Sequence, residues 1–411
     1  MRKATAAKHM PVGSLGSLRE LNRRRVVEAL VHAGSASRSD LARLTGLSRT
    51  TVATVVADLQ ARGLVREGAD EPAAGRGRPP VMLSLDASAG AVIGIGFGHR
   101  HVRVAVADLA SRVLAEETVE FDVDNDAVAA LDLAAQLASE AIEHAGIGRD
   151  RIVGAGVGLP GPLDRRTGLI STPVIMQGWA GVHAGRELTR RLDLHVEMDN
   201  DANVGALGEV AYGAGRGLQD VVYVKVATGL GAGLVLGGRL HTGSIGIAGE
   251  IGHVTVDPDG ALCACGNRGC LQTVAAAPHL LAQLRVAHRG EVTLRDLLDL
   301  VAAGDWAARR AVADSGRAIG RVLGDICNCL NPQAIIVGGE LSAAGEPLLA
   351  GIREGIDRHA LPSAAEAVEV RPGMLGDRAE VLGALSLVIA DSERLRSVGL
   401  AALHEPVGTS G

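Results

Sequence analysis

Residues 249–271 read GEIGHVTVDPDGALCACGNRGCL. Three of the chain's five cysteines, Cys263, Cys265 and Cys270, fall within eight residues, and His253 lies ten residues ahead of the first. One imidazole and three thiolates make a closed tetrahedral set for Zn2+, with no position left open, so such an ion would be structural. The C-x-C-x4-C spacing is not that of a standard finger, and disulfides are the competing reading. Nothing in the chain signals an oxidising compartment, which weighs against them. Glu250 and His253 stand three apart, so a helical turn puts them on one face. A metal that holds one nitrogen of His253 leaves the other for a ligand and steers Glu250 toward it.

A second polar cluster lies upstream. Asp199-Asn200-Asp201-Ala202-Asn203 follows the strand-like His195–Met198 and opens a helix over 202–211. Carboxylates accept from the vicinal hydroxyls of a sugar, and Asn both donates and accepts. In a kinase, Asp201 would deprotonate the attacking hydroxyl. The same residues also make an ordinary polar helix cap. Around them, Ala91–Phe97 and Val102–Asp108 alternate as a hairpin, with Val113–Phe121 as a third strand, a helix over 126–145 and a strand at Arg151–Val157. A second set starts at Val221–Ala227 and Gly233–Leu236, with helices near 273–288 and 306–330 and the strand Ala334–Val337. Two three-strand starts, each followed by helices and further strands, imply two related α/β lobes with a ligand cleft between them.

The N-terminal part is different. Residues 1–80 carry 14 Lys and Arg against 7 Asp and Glu, although the whole chain is at −6. A basic head on an acidic body suggests a head that meets a polyanion. Leu18, Leu21, Val26, Leu30 and Val31 recur at roughly helical spacing. Ser37 and Asp40 form a capping box for a short helix that turns Leu41 and Leu44 inward. Gly46 makes a turn, and Ser48 caps a helix that buries Val52, Val55, Val56 and Leu59. This is a helix-turn-helix layout, with Arg38, Ser48, Arg49, Thr50, Thr51 and Thr54 as the expected contacts to double-stranded DNA. Leu64–Glu67 and Val81–Leu85 read as the strands of a wing, and Arg76 and Arg78 at its tip suit a narrow minor groove. The expected division is a winged helix-turn-helix over 1–73, wing tip and linker over 74–86, the two-lobed body over 87–395 and a tail over 396–411.

Composition excludes several classes. At 47% hydrophobic and 21% charged residues, the bulk of the chain is globular, not disordered. Only six residues are aromatic, so the core is aliphatic and stacking on single-stranded nucleic acid lacks its platforms. No apolar run reaches about 20 residues, so no membrane span is expected, and a cytoplasmic location follows.

With Asp199–Asn203, Thr228-Gly229-Leu230-Gly231-Ala232-Gly233 and residues 249–272, the chain resembles the ROK family of repressors and sugar kinases over roughly residues 17–395. The resemblance implies an actin-like, hexokinase-like body of duplicated ribonuclease H-like lobes, and the head places the chain with the regulators. It implies zinc on His253, Cys263, Cys265 and Cys270, sugar contacts from Asn200, Asp201, Glu250 and His253, and Asp201 at the position of the kinases' base. Two departures matter. The kinases' Asp-x-Gly-Gly-Thr is here Gly96-Phe97-Gly98-His99-Arg100, so the metal-directing acid is gone and bulky groups stand where phosphate must approach. A frequent Cys-Leu-Glu is here Cys270-Leu271-Gln272, which leaves Gln272 as a neutral partner for a hydroxyl. The expected protein is a homodimeric or homotetrameric transcriptional regulator, most often a repressor in this family, with a sugar effector and no enzymatic activity. An active ATP-dependent sugar kinase with a DNA-binding head, or a regulator with a non-sugar effector, are the alternatives.

Overall fold

The computed structural model describes residues 15–68, 81–170 and 176–389. Arg76 and Arg78 of the expected wing tip, and the tail over 396–411, lie outside them. The head contains α1 (Leu15–Ala33), α2 (Arg38–Thr45) and α3 (Arg49–Ala61), with β1 (Ala36–Ser37), β2 (Val65–Gly68) and β3 (Met82–Leu85) in the order β1-β3-β2. The Ser37 hydroxyl accepts from the backbone N–H of Asp40, and the Asp40 carboxylate accepts from that of Ser37, so the capping box is complete. Val26, Val27, Leu30, Leu41, Val52, Val56 and Leu59 fill the space between the helices.

Leu18, Leu21 and Leu44, expected inside the head, are exposed instead. Leu21 and Val31 line a cavity that they share with Leu207, Leu240 and Leu387 of the body. Leu44 lines a second cavity opposite Leu218. Helical periodicity reports which residues are apolar together, not which neighbour they meet, and here the neighbour is the body. Leu18 lies ahead of both contacts, in the first turn of α1.

The first lobe holds β4 (Ala91–Phe97), β5 (His101–Asp108), β6 (Val113–Glu120), α4 (Ala127–Ala145) and β7 (Ile152–Leu159). It continues through the small hairpin β8 (Leu163–Asp164) and β9 (Leu169–Ile170) to α5 (Ala184–Leu192), β10 (Val196–Asn200) and α6 (Asp201–Tyr212). The second lobe holds β11 (Val221–Val226), β12 (Leu230–Leu236), β13 (Arg239–His241), α7 (Gln272–Ala275), α8 (Ala277–His288), α9 (Leu294–Ala302) and α10 (Trp306–Leu330). After these come β14 (Ala334–Gly338), α11 (Glu346–His359), α12 (Pro362–Ala367), β15 (Glu369–Pro372) and α13 (Ala379–Ile389). The sheets run β10-β7-β4-β5-β6 and β13-β12-β11-β14-β15. In each, an antiparallel three-strand meander is followed by two strands added in parallel beside its first strand. The identical order demonstrates the duplication that the repeated strand pattern implied.

Two local readings change. The helix expected over 273–288 is two, α7 and α8, with Ala276 extended between them. Pro278 in the first turn of α8 cannot continue a preceding helix, because its ring meets the carbonyl four residues back. Asp199 and Asn200 end strand β10, one step earlier than their expected place after it.

Helix α13 belongs to the first lobe's face although it ends the described chain. It packs on β4, β7, α6 and α1. Glycine permits the approach: a Cβ on Gly383 would stand 1.6 Å from the Val204 carbonyl oxygen of α6. Alanine is the better helix former by about 1 kcal/mol, but overpacking costs typically about 1–3 kcal/mol and more against rigid backbone. The expected outcome for Gly383→Ala is therefore a net loss of stability, read as a lower denaturation midpoint in urea.

Candidate functional site

The strand-to-helix turn at the end of β10 positions the polar cluster. Asn200 caps α6: its Oδ1 accepts from the Ala202 N–H at 2.9 Å and from that of Asn203 at 3.4 Å, and its Nδ2 donates to the Gly161 carbonyl at 2.9 Å. Asp199 is turned away from the cleft, its Oδ1 accepting from the Asn200 N–H and from Asn203 Nδ2. The capping and binding readings of this cluster are thus compatible, since capping aims Asn200 and Asp201 into one cleft.

All five residues expected at a sugar site line that cleft. Its free volume is about 70 Å³, and Asn200, Asp201, Glu250, His253 and Gln272 share it with His99 and Lys225. Glu250 sits at the start of a single helical turn over 251–253, with its Oε2 3.8 Å from His253 Nε2. Burial, and then the Asp201 charge, push the Glu250 carboxyl up to about 7. His99 occupies the place of a kinase glycine. It reaches into the cleft and its Nδ1 pairs with Asp124 at 2.8 Å. Burial works against the His99 imidazolium, but Asp124 outweighs it and raises its pKa. Arg100, expected to obstruct phosphate beside it, points to solvent. Gly231 and Gly233 of the glycine-rich loop lie in β12 against α6, where a Cβ on Gly233 would stand 2.4 Å from the Ala202 carbonyl oxygen. The absent side chain of Gly233 serves sheet-to-helix packing, whereas Gly231 lines the cleft.

Lys225 escaped the sequence reading. Its Nζ donates to Asp201 Oδ2 at 2.7 Å and to Glu380 Oε1. Burial alone would lower its pKa, but the two carboxylates hold it well up as an ammonium. The signal was present: a lone lysine inside Val-Val-Tyr-Val-Lys-Val, otherwise a buried strand.

The metal cluster is assembled as its spacing suggested. The ligand atoms of His253, Cys263, Cys265 and Cys270 all lie within 4.8 Å of one another. Cys263 Sγ is 3.7 Å from His253 Nδ1, and Cys265 Sγ is 3.7 Å from Cys270 Sγ. Metal–sulfur bonds of about 2.3 Å in a tetrahedron separate sulfurs by roughly 3.8 Å, whereas a disulfide needs about 2.05 Å. The cysteines are free and the cluster fits a tetrahedral ion. Gln272 Nε2 donates to Cys263 Sγ at 3.2 Å, so the amide expected to meet a ligand hydroxyl is engaged with a sulfur. A carboxylate at that position would repel a thiolate instead.

On the head, Arg49, Thr50 and Thr54 are exposed along α3. Ser48 caps α3, accepting from the Thr51 N–H at 3.1 Å, and its hydroxyl pairs with that of Thr51. Arg38, expected at DNA, pairs with Glu67 of the wing at 2.9 Å and reaches Gln60. Its charge has an internal partner that composition could not show. Arg66 on β2 is a further exposed cation, not singled out from the sequence.

A duplicated kinase-like body, a polar cleft beside a four-ligand cluster, and a winged head together define a regulator built on a sugar-kinase fold. The chain belongs to the ROK family, whose model matches residues 92–391, while a MarR family model matches residues 21–77. It is 28% identical to a xylose repressor of Caldicellulosiruptor bescii, over 92% of this chain and 98% of that protein. It is 37% identical to a glucokinase of Halalkalibacterium halodurans over 56% of this chain and 74% of that protein, a match confined to part of the chain. A crystal structure of a ROK family transcriptional regulator, a homolog of the E. coli MLC protein, superposes with a TM-score of 0.76 at 25% identity, covering 93% of this chain and 99% of that one.

The loop over 254–271 has little apolar burial of its own to hold it. Cys270→Ser is expected to abolish stoichiometric metal in elemental analysis of the purified protein and to lower the thermal midpoint by roughly 5–10 °C.

Proposed function

We propose that this chain is a sugar-responsive, DNA-binding transcriptional repressor of carbohydrate genes. The head reads an operator, and the body binds a sugar or sugar derivative without phosphorylating it. The observation that carries this reading is the cleft itself: the residue at the kinases' base position is ion-paired to Lys225, and Gly96 and His99 stand where the kinases hold phosphate. A carboxylate so paired still accepts a hydroxyl's hydrogen bond, and the stretch over 96–100 lacks the metal-directing acid that phosphate transfer needs. Likeness to a xylose repressor along almost its full length supports the regulatory reading.

Asn200, Asp201, Glu250 and His253 are the sugar contacts in this reading, with Gln272 behind them at the metal loop. The ion is Zn2+, held by His253, Cys263, Cys265 and Cys270, and its role is to fix the loop that presents Glu250 and His253. Arg49, Thr50, Thr51 and Thr54 face the major groove, Ser48 orients their helix, and Arg38, Arg76 and Arg78 are further DNA contacts in this reading. Heads cover residues 1–73 and bodies 87–395, joined through the wing and linker. A cytoplasmic homodimer or homotetramer places two heads on a two-fold operator. The ligand changes operator affinity only by binding the two head arrangements unequally.

The kinase alternative is favoured by the glucokinase likeness. A coupled ATPase assay over a panel of monosaccharides decides between the two: turnover at background supports the regulator, and sustained phosphorylation supports the kinase. On genomic operator fragments, Arg49→Ala is expected to weaken specific binding by about 1–3 kcal/mol. Binding should also fall steeply between 50 and 200 mM salt, as for roughly six or more phosphate contacts. Gel-shift titrations measure both. Calorimetry with the panel is expected to show heat for the unsubstituted chain and none for Asp201→Ala.

A further inference from the structure

Strand β11 is an interior strand of the second lobe's sheet, flanked by β12 and β14. A lysine there needs a reason, because an unpaired buried ammonium is costly by several kcal/mol. The side chains of Lys225, Asp201 and Glu380 are 12%, 11% and 14% exposed. Asp201 opens α6 and Glu380 lies in the first turn of α13, so one ammonium from the second lobe joins the N-terminal ends of two helices that pack together. Lys225 and Asp201 line the cleft, and Glu380 lies beside them on the Lys225 ammonium.

Their position relative to Gly96 is the second observation. A Cβ on Gly96 would lie 3.7 Å from Glu380 Cβ and 3.5 Å from the Val381 nitrogen. The side chain that stands beside the position of the missing kinase acid is therefore Glu380, from the other end of the chain, and its carboxylate is paired with Lys225. An ammonium has three N–H donors. Two are used on Asp201 and Glu380, and Lys225 also lines the cleft. Each Asp201 oxygen has two acceptor sites. Oδ1 uses one on the Ala202 N–H at 2.7 Å and Oδ2 uses one on Lys225. Acceptor capacity for ligand hydroxyls remains.

We propose that Lys225 is the positioning residue of the effector cleft: it fixes Asp201 in place as an acceptor for a sugar hydroxyl and, with Glu380, closes the space beside Gly96 to a nucleotide's terminal phosphate. The first half rests on the reading of the cleft as a sugar site. The ligand class is a neutral polyol. A triphosphate entering the cleft meets the carboxylates of Asp201 and Glu250 without the metal-directing acid that would bridge them.

The test is calorimetry on the full chain with D-xylose, D-glucose and N-acetyl-D-glucosamine, and with magnesium and a non-hydrolysable ATP analogue. Lys225→Met alone leaves two buried acids unpaired and risks misfolding, so the working variant is Lys225→Met/Glu380→Gln, accepted when its circular dichroism matches that of the unsubstituted chain. Expected is a loss of at least tenfold in affinity for whichever sugar binds. In an Asp201→Asn background the same two substitutions should cost no more than twofold further, because Lys225 acts through Asp201. Affinity within twofold of the unsubstituted chain, or a loss that adds fully to that of Asp201→Asn, overturns the positioning role alone. Saturable nucleotide heat in the unsubstituted chain overturns the closure. Absence of heat with all three sugars overturns the sugar reading, and the positioning role with it.

Discussion

The contact of α13 with α6 is the constraint from which the other arrangements follow. It is backbone against backbone, made possible where Gly383 meets Val204. Through it the last described helix is held against the strand-to-helix turn that carries Asn200 and Asp201, and its first turn delivers Glu380 to Lys225. The opposite side of α13 supplies Leu382, Leu385 and Ile389 to the cluster under the head. One helix thus meets both the cleft's Lys225 and the winged head. Interiors are packed too closely for such a helix to shift without its neighbours.

Within the cleft, charge pairing and metal-loop geometry divide the work. Lys225 holds the floor, and the cluster of His253, Cys263, Cys265 and Cys270 holds the wall, each from a different part of the second lobe. Gln272 links the two sides chemically, because it lines the cleft and donates to a cluster sulfur. The body keeps the fold of the ROK family, with Asp201 ion-paired to Lys225.

Much of this was legible in the sequence where the signal is local. The four residues of the candidate metal cluster lie within 18 residues of one another, and the capping box within four, so spacing alone brought them together. The duplicated lobes were legible because each repeats the same strand meander. Long-range pairing was not legible. Nothing in the neighbourhood of Lys225 points to Glu380, and nothing near Arg38 points to its pairing with Glu67. Leu21 and Leu44 read as core because apolar residues at helical spacing look alike whether they face their own module or the next. The lone lysine in a buried strand was the one long-range site with a sequence signature, and it was visible only to a reading that asked what a buried charge must meet.

The aliphatic cluster beneath the head has a practical consequence. It runs without interruption from Leu83 and Leu85 into Val92, Ala105, Ala107 and Leu109 of the first lobe and on to α13. Severing the polypeptide after Asp86 would strip a cover from that floor and leave a greasy scar on the remaining fragment. Such a fragment would tend to self-associate, so its clumping would report the missing cover and not the habit of the intact molecule.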